Sequence, residues 1–148
     1  MQMRKRGLLI ILLGVLTLTT LGCGRQSSSV IPKYVDIQDV VKTAFLTDKG
    51  YTDEISKYMS KEVFTRINLY KDYPVNRPEY SKPFNIDFNI REQSEKKKSG
   101  IVYVNMVYSV TIKDSKNTMV GGAKDAPITF TVQLGPSGWY ITQVQEEP

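Results

Sequence analysis

From Gly100 to Asp114 the chain reads G-I-V-Y-V-N-M-V-Y-S-V-T-I-K-D, in which Val102, Val104, Met106, Tyr108, Val110 and Ile112 fill every even position while Asn105, Ser109, Thr111 and Lys113 stand among the odd ones. Alternation with a period of two places one apolar row on one face of a long strand. A helix would scatter the same residues around its cylinder. Upstream, Phe84, Ile86, Phe88 and Ile90 alternate with Asn85, Asp87, Asn89 and Arg91, and the linker Q-S-E-K-K-K-S-G joins the two runs as an antiparallel hairpin. Downstream, Ile128, Phe130, Val132 and Leu134 repeat the pattern, and Gly135-Pro136-Ser137-Gly138 turns the chain into a last strand from Trp139 to Glu146. The intervening D-S-K-N-T-M-V-G-G-A-K-D-A reads as a mobile loop around Gly121-Gly122.

Ahead of these runs the period changes to that of a helix. Asp36 is placed to cap a first helix whose Ile37, Val40, Val41, Ala44 and Phe45 share one face, with Gly50 at its end. Thr52 opens a second, with Asp53 and Glu54 in the first turn and an apolar stripe of Ile55, Tyr58, Met59, Val63, Ile67 and Tyr70. Pro74, Pro78 and Pro83 exclude helix from the stretch to Phe84, predicting an ordered loop with Tyr73 and Tyr80 exposed. Two helices followed by about four strands give an α+β domain over residues 34–148.

The first 22 residues are of another kind. M-Q-M-R-K-R is followed by L-L-I-I-L-L-G-V-L-T-L-T-T-L and then Gly22-Cys23, the basic, apolar and small-residue parts of a secretory signal. The apolar run is short for a membrane span, which takes about 20 residues. Gly22-Cys23 resembles the lipobox of bacterial lipoproteins. That resemblance implies cleavage between Gly22 and Cys23 and diacylglyceryl transfer to Cys23; an uncleaved anchor with a buried cysteine is the other reading. Residues 1–22 are thus expected to be a lipoprotein signal peptide and 23–33, rich in small and polar residues, a flexible tether. The expected address is the extracytoplasmic face of the cell membrane, on a Gram-positive surface.

Composition narrows the chemistry. Losing Arg4, Lys5 and Arg6 with the signal leaves 17 of the 20 basic side chains against 15 acidic ones, too even a balance to indicate nucleic acid. With no histidine and Cys23 as the single cysteine, internal disulfides and Cys/His zinc sites are excluded. The carboxylates lack metal-ligand spacing, Gly121-Gly122 has neither the lysine nor the helix of a phosphate loop, and no cofactor is expected. Asp87, the acid most centrally placed on a strand, falls on the polar side of its alternation. Lys96-Lys97-Lys98 makes a compact positive hairpin tip, either solvated or in contact with anionic lipid.

The order of elements, with V-V-K-T-A-F, K-G-Y-T-D-E-I-S-K-Y-M-S and the closing G-W-Y-I-T-Q-V strand, resembles the nuclear transport factor 2-like superfamily over about residues 34–146. The resemblance implies a cone in which helices cover the concave side of a curved antiparallel sheet and leave a pocket at its wide end. The superfamily includes isomerases, dehydratases, ligand binders and protein-binding modules, and a related fold serves as scaffold domains of secretion and conjugation machines. Enzymes of this kind use an Asp, a Tyr or a His inside the cone, and here Tyr108 lies on the apolar row. The leading expectation is therefore a non-enzymatic, lipid-anchored module that binds a protein partner in an envelope assembly through Asn85, Asp87, Asn89, Tyr103, Asn105, Thr129 and Thr131. The alternative is a small-ligand receptor or enzyme whose pocket is lined by Tyr108 and Trp139, and a homodimer through the open sheet face is a third.

Overall fold

A computed structural model describes residues 33–147. The signal peptide, the Gly22-Cys23 cleavage and lipidation site and all of the tether except Lys33 lie outside the described residues. The sheet is a four-stranded antiparallel meander in the order β1 (Asn85–Lys98), β2 (Ile101–Lys113), β3 (Met119–Gly135) and β4 (Gly138–Glu146). β2 is the stretch with the longest alternation. Its six even residues, Val102 to Ile112, are at most 6% exposed. They form one row of an apolar layer with Ile90 of β1, Ile128, Phe130 and Val132 of β3, and Ile141 and Val144 of β4. At ~1.5–3 kcal/mol for each buried side chain, that row alone supplies on the order of 10 kcal/mol of gross stabilisation.

The helical residues precede the sheet in the chain and lie over this apolar layer, but they form four short elements rather than two helices. α1 (Gln38–Leu46) buries Val41, Ala44 and Phe45. Its N-cap is Ile37 and not Asp36, whose carboxylate instead pairs with Lys33 at 3.2 Å. It ends at Leu46, and Gly50 serves the following turn at φ +79°. The second expected helix starts as predicted, with Thr52 Oγ1 accepting from the Ile55 amide, but α2 (Asp53–Ser56) stops after one turn. The sheet is the reason. Tyr58 to Ser60 lie along the outer edge of β4, where the Ile141 amide donates to the Tyr58 carbonyl (2.7 Å) and the Ser60 amide donates to the Ile141 carbonyl (3.2 Å). This short parallel bridge covers an edge that would otherwise offer unpaired backbone, and it fully buries Met59.

Ser60 then caps α3 (Lys61–Ile67), which ends at Asn68, and α4 (Leu69–Asp72) follows. The side chain of Asn68 is 1% exposed and donates to the carbonyls of Ala44 (2.8 Å) and Thr47 (2.9 Å), which α1 leaves unpaired at its C-terminal end.

The proline-rich stretch is laid over the core. Val75 is buried, and Tyr73 and Tyr80 are packed against the core rather than exposed. Gly121-Gly122 belongs to β3 and not to a mobile loop. A Cβ on Gly121 would overlap the Tyr73 ring, and one on Gly122 would lie 2.7 Å from the Val110 carbonyl oxygen. Asp114, 3% exposed, closes the β2–β3 turn: its carboxylate accepts from the amides of Lys116 (2.9 Å), Thr118 (2.8 Å) and Ser81 (3.1 Å), which also ties the proline-rich loop to the sheet.

Candidate functional site

The helices cover one face of the sheet and leave the other open. Asn85, Asp87 and Asn89 of β1 pair with Lys113, Thr111 and Ser109 of β2, while Tyr103 and Asn105 pair with Thr131 and Thr129 of β3. All seven surface residues named from the sequence therefore share this open face. At its centre Asn105 donates to Ser94 Oγ (2.9 Å) and accepts from Thr129 Oγ1 (2.9 Å), a polar ladder across three strands. Such a ladder pre-orients hydroxyl and amide groups at the surface, where they can exchange water for a partner's backbone or side chains. Tyr103, 37% exposed, stands beside it.

A groove of about 550 Å³ continues from Tyr103, Thr129 and Thr131 past Gln143 to Glu62 and Arg66 of α3. Ser94, Gln143, Glu62 and Arg66 were not among the residues expected there. The alternation of Gln143 and Gln145 with Val144 was the available signal for one of them. Ser94 was hidden by a bulge at Gln93, where the register passes from Glu92↔Met106 to Ser94↔Asn105.

The same bulge carries Glu95 and Lys97 to the helix side. Glu95 is 5% exposed; one carboxylate oxygen accepts from the amides of Tyr34 and Val35 (3.3 Å for Val35), and the other has no partner among the described residues.

Tyr108 and Trp139 both sit on the helix side but do not line one pocket. Tyr108 is level with Ile90 and Ala126, whereas Trp139 is level with Leu134, beyond the Gly100 end of β2. Some eight residues of strand separate the two levels, about 25 Å at ~3.3 Å per residue. The Tyr108 ring packs with Phe45 (5.2 Å) and Phe88 (6.2 Å), and its hydroxyl donates to the Glu146 carboxylate. Burial, and then the bond to Glu146, drive this phenol far above its ordinary pKa. Burial also raises Tyr73, with the charges of Asp72 and Glu146 adding to it, and burial followed by the charge of Glu146 raises Asp72. Tyr108 and Glu146 are thus joined by a direct bond, and Asp72 and Tyr73 lie near enough to feel the Glu146 charge; Tyr108 was named from the sequence as a pocket residue and Tyr73 only as a loop aromatic.

Trp139 stacks against Tyr58 (5.2 Å) and lines a groove of about 600 Å³ with Lys57, Tyr58, Tyr140, Gln133 and Ser137. Among the described residues no three acidic, histidine or cysteine side chains are grouped to hold a metal ion, and no helix is long and apolar enough to cross a membrane. Comparison of the sequence with models of protein families and with the curated proteins finds no match in either.

Proposed function

We propose that this is a lipid-anchored, extracytoplasmic protein-binding module, with a nuclear transport factor 2-like cone as its fold and Cys23 as its attachment point. The observation that carries the reading is the asymmetry of the sheet. One face is sealed by α1 and α3 over an apolar layer, and the other is an uncovered field of amides, hydroxyls and one tyrosine held in register by the Ser94–Asn105–Thr129 ladder. A face of this kind offers a rigid, polar, aromatic-centred surface of the sort that transient interfaces use. In this reading the partner is a protein of the envelope, within a secretion- or conjugation-type assembly, and the module does no chemistry of its own. A pull-down from detergent-solubilised envelope tests it: a partner recovered by the full chain should be lost with Tyr103→Ala and Thr131→Arg. Failure to recover any reproducible partner, or equal recovery by the variants, overturns it. If the partner is a second copy, light scattering of the purified protein will show a dimer that the same variants dissociate.

A second reading has its own support. The Tyr108 hydroxyl donates to the Glu146 carboxylate from a ring packed against Phe45 and Phe88, a polar pair at the margin of the apolar layer that a small polar ligand would engage. Saturable binding of a small molecule that Tyr108→Phe and Glu146→Gln both weaken would favour that reading over the first.

A further inference from the structure

The end of the domain from which the chain leaves toward Cys23 combines positive charge with exposed aromatic side chains. The Tyr34 amide is held by Glu95, and the Lys97 ammonium lies 5.5 Å from the centre of the Tyr34 ring, which places the start of the domain beside the β1–β2 turn. The β3–β4 turn lies at the same end, since the Leu134 amide donates to the Gly100 carbonyl (2.9 Å) and Leu134 pairs with Trp139. Lys96, Lys97 and Lys98 are exposed and in no ion pair with a described residue, whereas Lys33 is offset by Asp36. Tyr34 (46% exposed), Tyr58 (40%), Trp139 and Tyr140 stand at this end as well. Basic side chains beside Trp and Tyr are the composition that settles at a bilayer interface, charge to the headgroups and rings at the headgroup level. A solvated turn accounts for the three lysines but not for the aromatic groove next to them.

We propose that this end, formed by the Lys96–Lys98 tip and the Tyr58–Trp139–Tyr140 groove, rests on an anionic lipid surface and stands the domain upright with its open sheet face turned sideways. The proposal rests on the reading of Cys23 as the lipid anchor. The ten residues from 24 to 33 reach at most about 35 Å even when fully extended, so a lipidated Cys23 would keep this end close to the bilayer. Each lysine near an anionic surface favours the docked state by about fivefold, so three favour it by about a hundredfold.

Trp139 is the single tryptophan and lies in the contact, so it is its own probe. The full chain, purified with its lipid, is reconstituted into vesicles of phosphatidylcholine alone or of phosphatidylcholine with phosphatidylglycerol. Flotation of the vesicles reads the anchor, and quenching of Trp139 by aqueous iodide and by lipids brominated near the headgroup reads the docking. The expected result is flotation with both vesicle types, with Trp139 shielded from iodide and quenched by brominated lipid only on the anionic one. Lys96→Gln/Lys97→Gln/Lys98→Gln should abolish that shielding, and so should salt at about 1 M, where the screening length is only ~3 Å; the salt arm stands even if the variant folds poorly. A chain that floats but leaves Trp139 equally open to iodide on both vesicles, or equally shielded on both, overturns the docking proposal with the anchor intact. A chain that does not float at all overturns the anchor reading instead.

Discussion

Asn68 reaches back 24 residues to donate its side-chain amide to the carbonyl of Ala44, joining the end of α1 to the break between α3 and α4. A second bond to the Thr47 carbonyl uses its other N–H, so this one side chain satisfies two backbone acceptors that would otherwise be unpaired. Asn68→Ala should therefore cost about 1–3 kcal/mol, the range for leaving buried polar groups without partners. A smaller shift in urea melts would mean that water replaces the amide.

Gly121 and Tyr73 meet just as closely. Alanine is ordinarily the better residue in a strand, but here a Cβ would occupy the space of the Tyr73 ring. Gly121→Ala should destabilise by about 1–3 kcal/mol through overpacking, and the same substitution in a Tyr73→Ala background should cost little. Equal costs in both backgrounds, in a thermal or urea double-mutant cycle, would show that the ring is not the obstacle.

Much of the sheet was legible because alternation is a local property. Val102 to Ile112 and Phe84 to Ile90 show their buried face in the text itself, and the face assignments of Tyr103, Asn105, Thr129 and Thr131 follow from the same count. What could not be read depends on residues distant in the chain. Tyr58 to Ser60 carry a helical pattern, but Ile141, some 80 residues later, draws them into a bridge, and tertiary contact overrides the local preference. The bulge at Gln93 changes which side Glu95 faces without leaving a mark in a stretch already rich in charge. The pairing of Tyr108 with Trp139 failed for a related reason: alternation assigns a residue to a face but does not say where along the sheet it stands, which only strand register decides.

Asp72 and Asp114 are perturbed in opposite directions and should respond to pH with opposite signs. The Asp72 carboxyl is raised by burial and by Glu146, so the folded state holds its proton more tightly than the unfolded chain does. Its contribution is complete below the unfolded value of about 3.9 and is lost as pH rises through the folded one, which makes its charge a cost at neutral pH. Asp72→Asn should raise stability at pH 7, by less than about 1 kcal/mol because the group is largely solvated, and the gain should vanish below about pH 4. For Asp114 burial opposes the charge, but the amides of Ser81, Thr118 and Lys116 outweigh it and hold the carboxyl below its usual range. Its contribution is present above about pH 3.9 and fades as pH falls through the folded value, so Asp114→Asn should lower the urea midpoint at pH 7 and lose that effect in acid. Shifts of the same sign for the two variants would contradict the geometry of one of them.

Cys23→Ala tests the proposed lipid attachment directly. The thiol is the only group in the chain that can form the thioether to diacylglycerol, so the variant should remain in the precursor form and take up no labelled fatty acid. Labelling of the variant at the level of the unaltered chain would place the lipid elsewhere, and no labelling of either chain would show that the signal is an ordinary uncleaved anchor. Gel mobility together with fatty-acid labelling reads both outcomes.

The adjacent residues Val104 and Asn105 allow the two faces of the sheet to be compared at one level of one strand. Val104 is fully buried beneath the helices, opposite Phe130. Val104→Asp places an unpaired charge in an apolar layer, which should cost several kcal/mol from a total stability of ~5–15 kcal/mol. Asn105→Asp adds the same charge on the open face. There the carboxylate still accepts from Thr129 Oγ1, and the Ser94 hydroxyl, which accepted from Asn105, can turn to donate instead. That substitution should stay within about 1 kcal/mol. Strand position, added charge and backbone pairing are nearly matched, so the difference in urea midpoint reports which face each residue occupies. It also bears on function: if Asn105→Asp leaves the fold intact yet loses an envelope partner that the unaltered chain recovers, the defect belongs to the open face and not to stability. Equal losses of stability in the two variants would mean that the supposed open face is covered, and the partner-binding reading would fall with it.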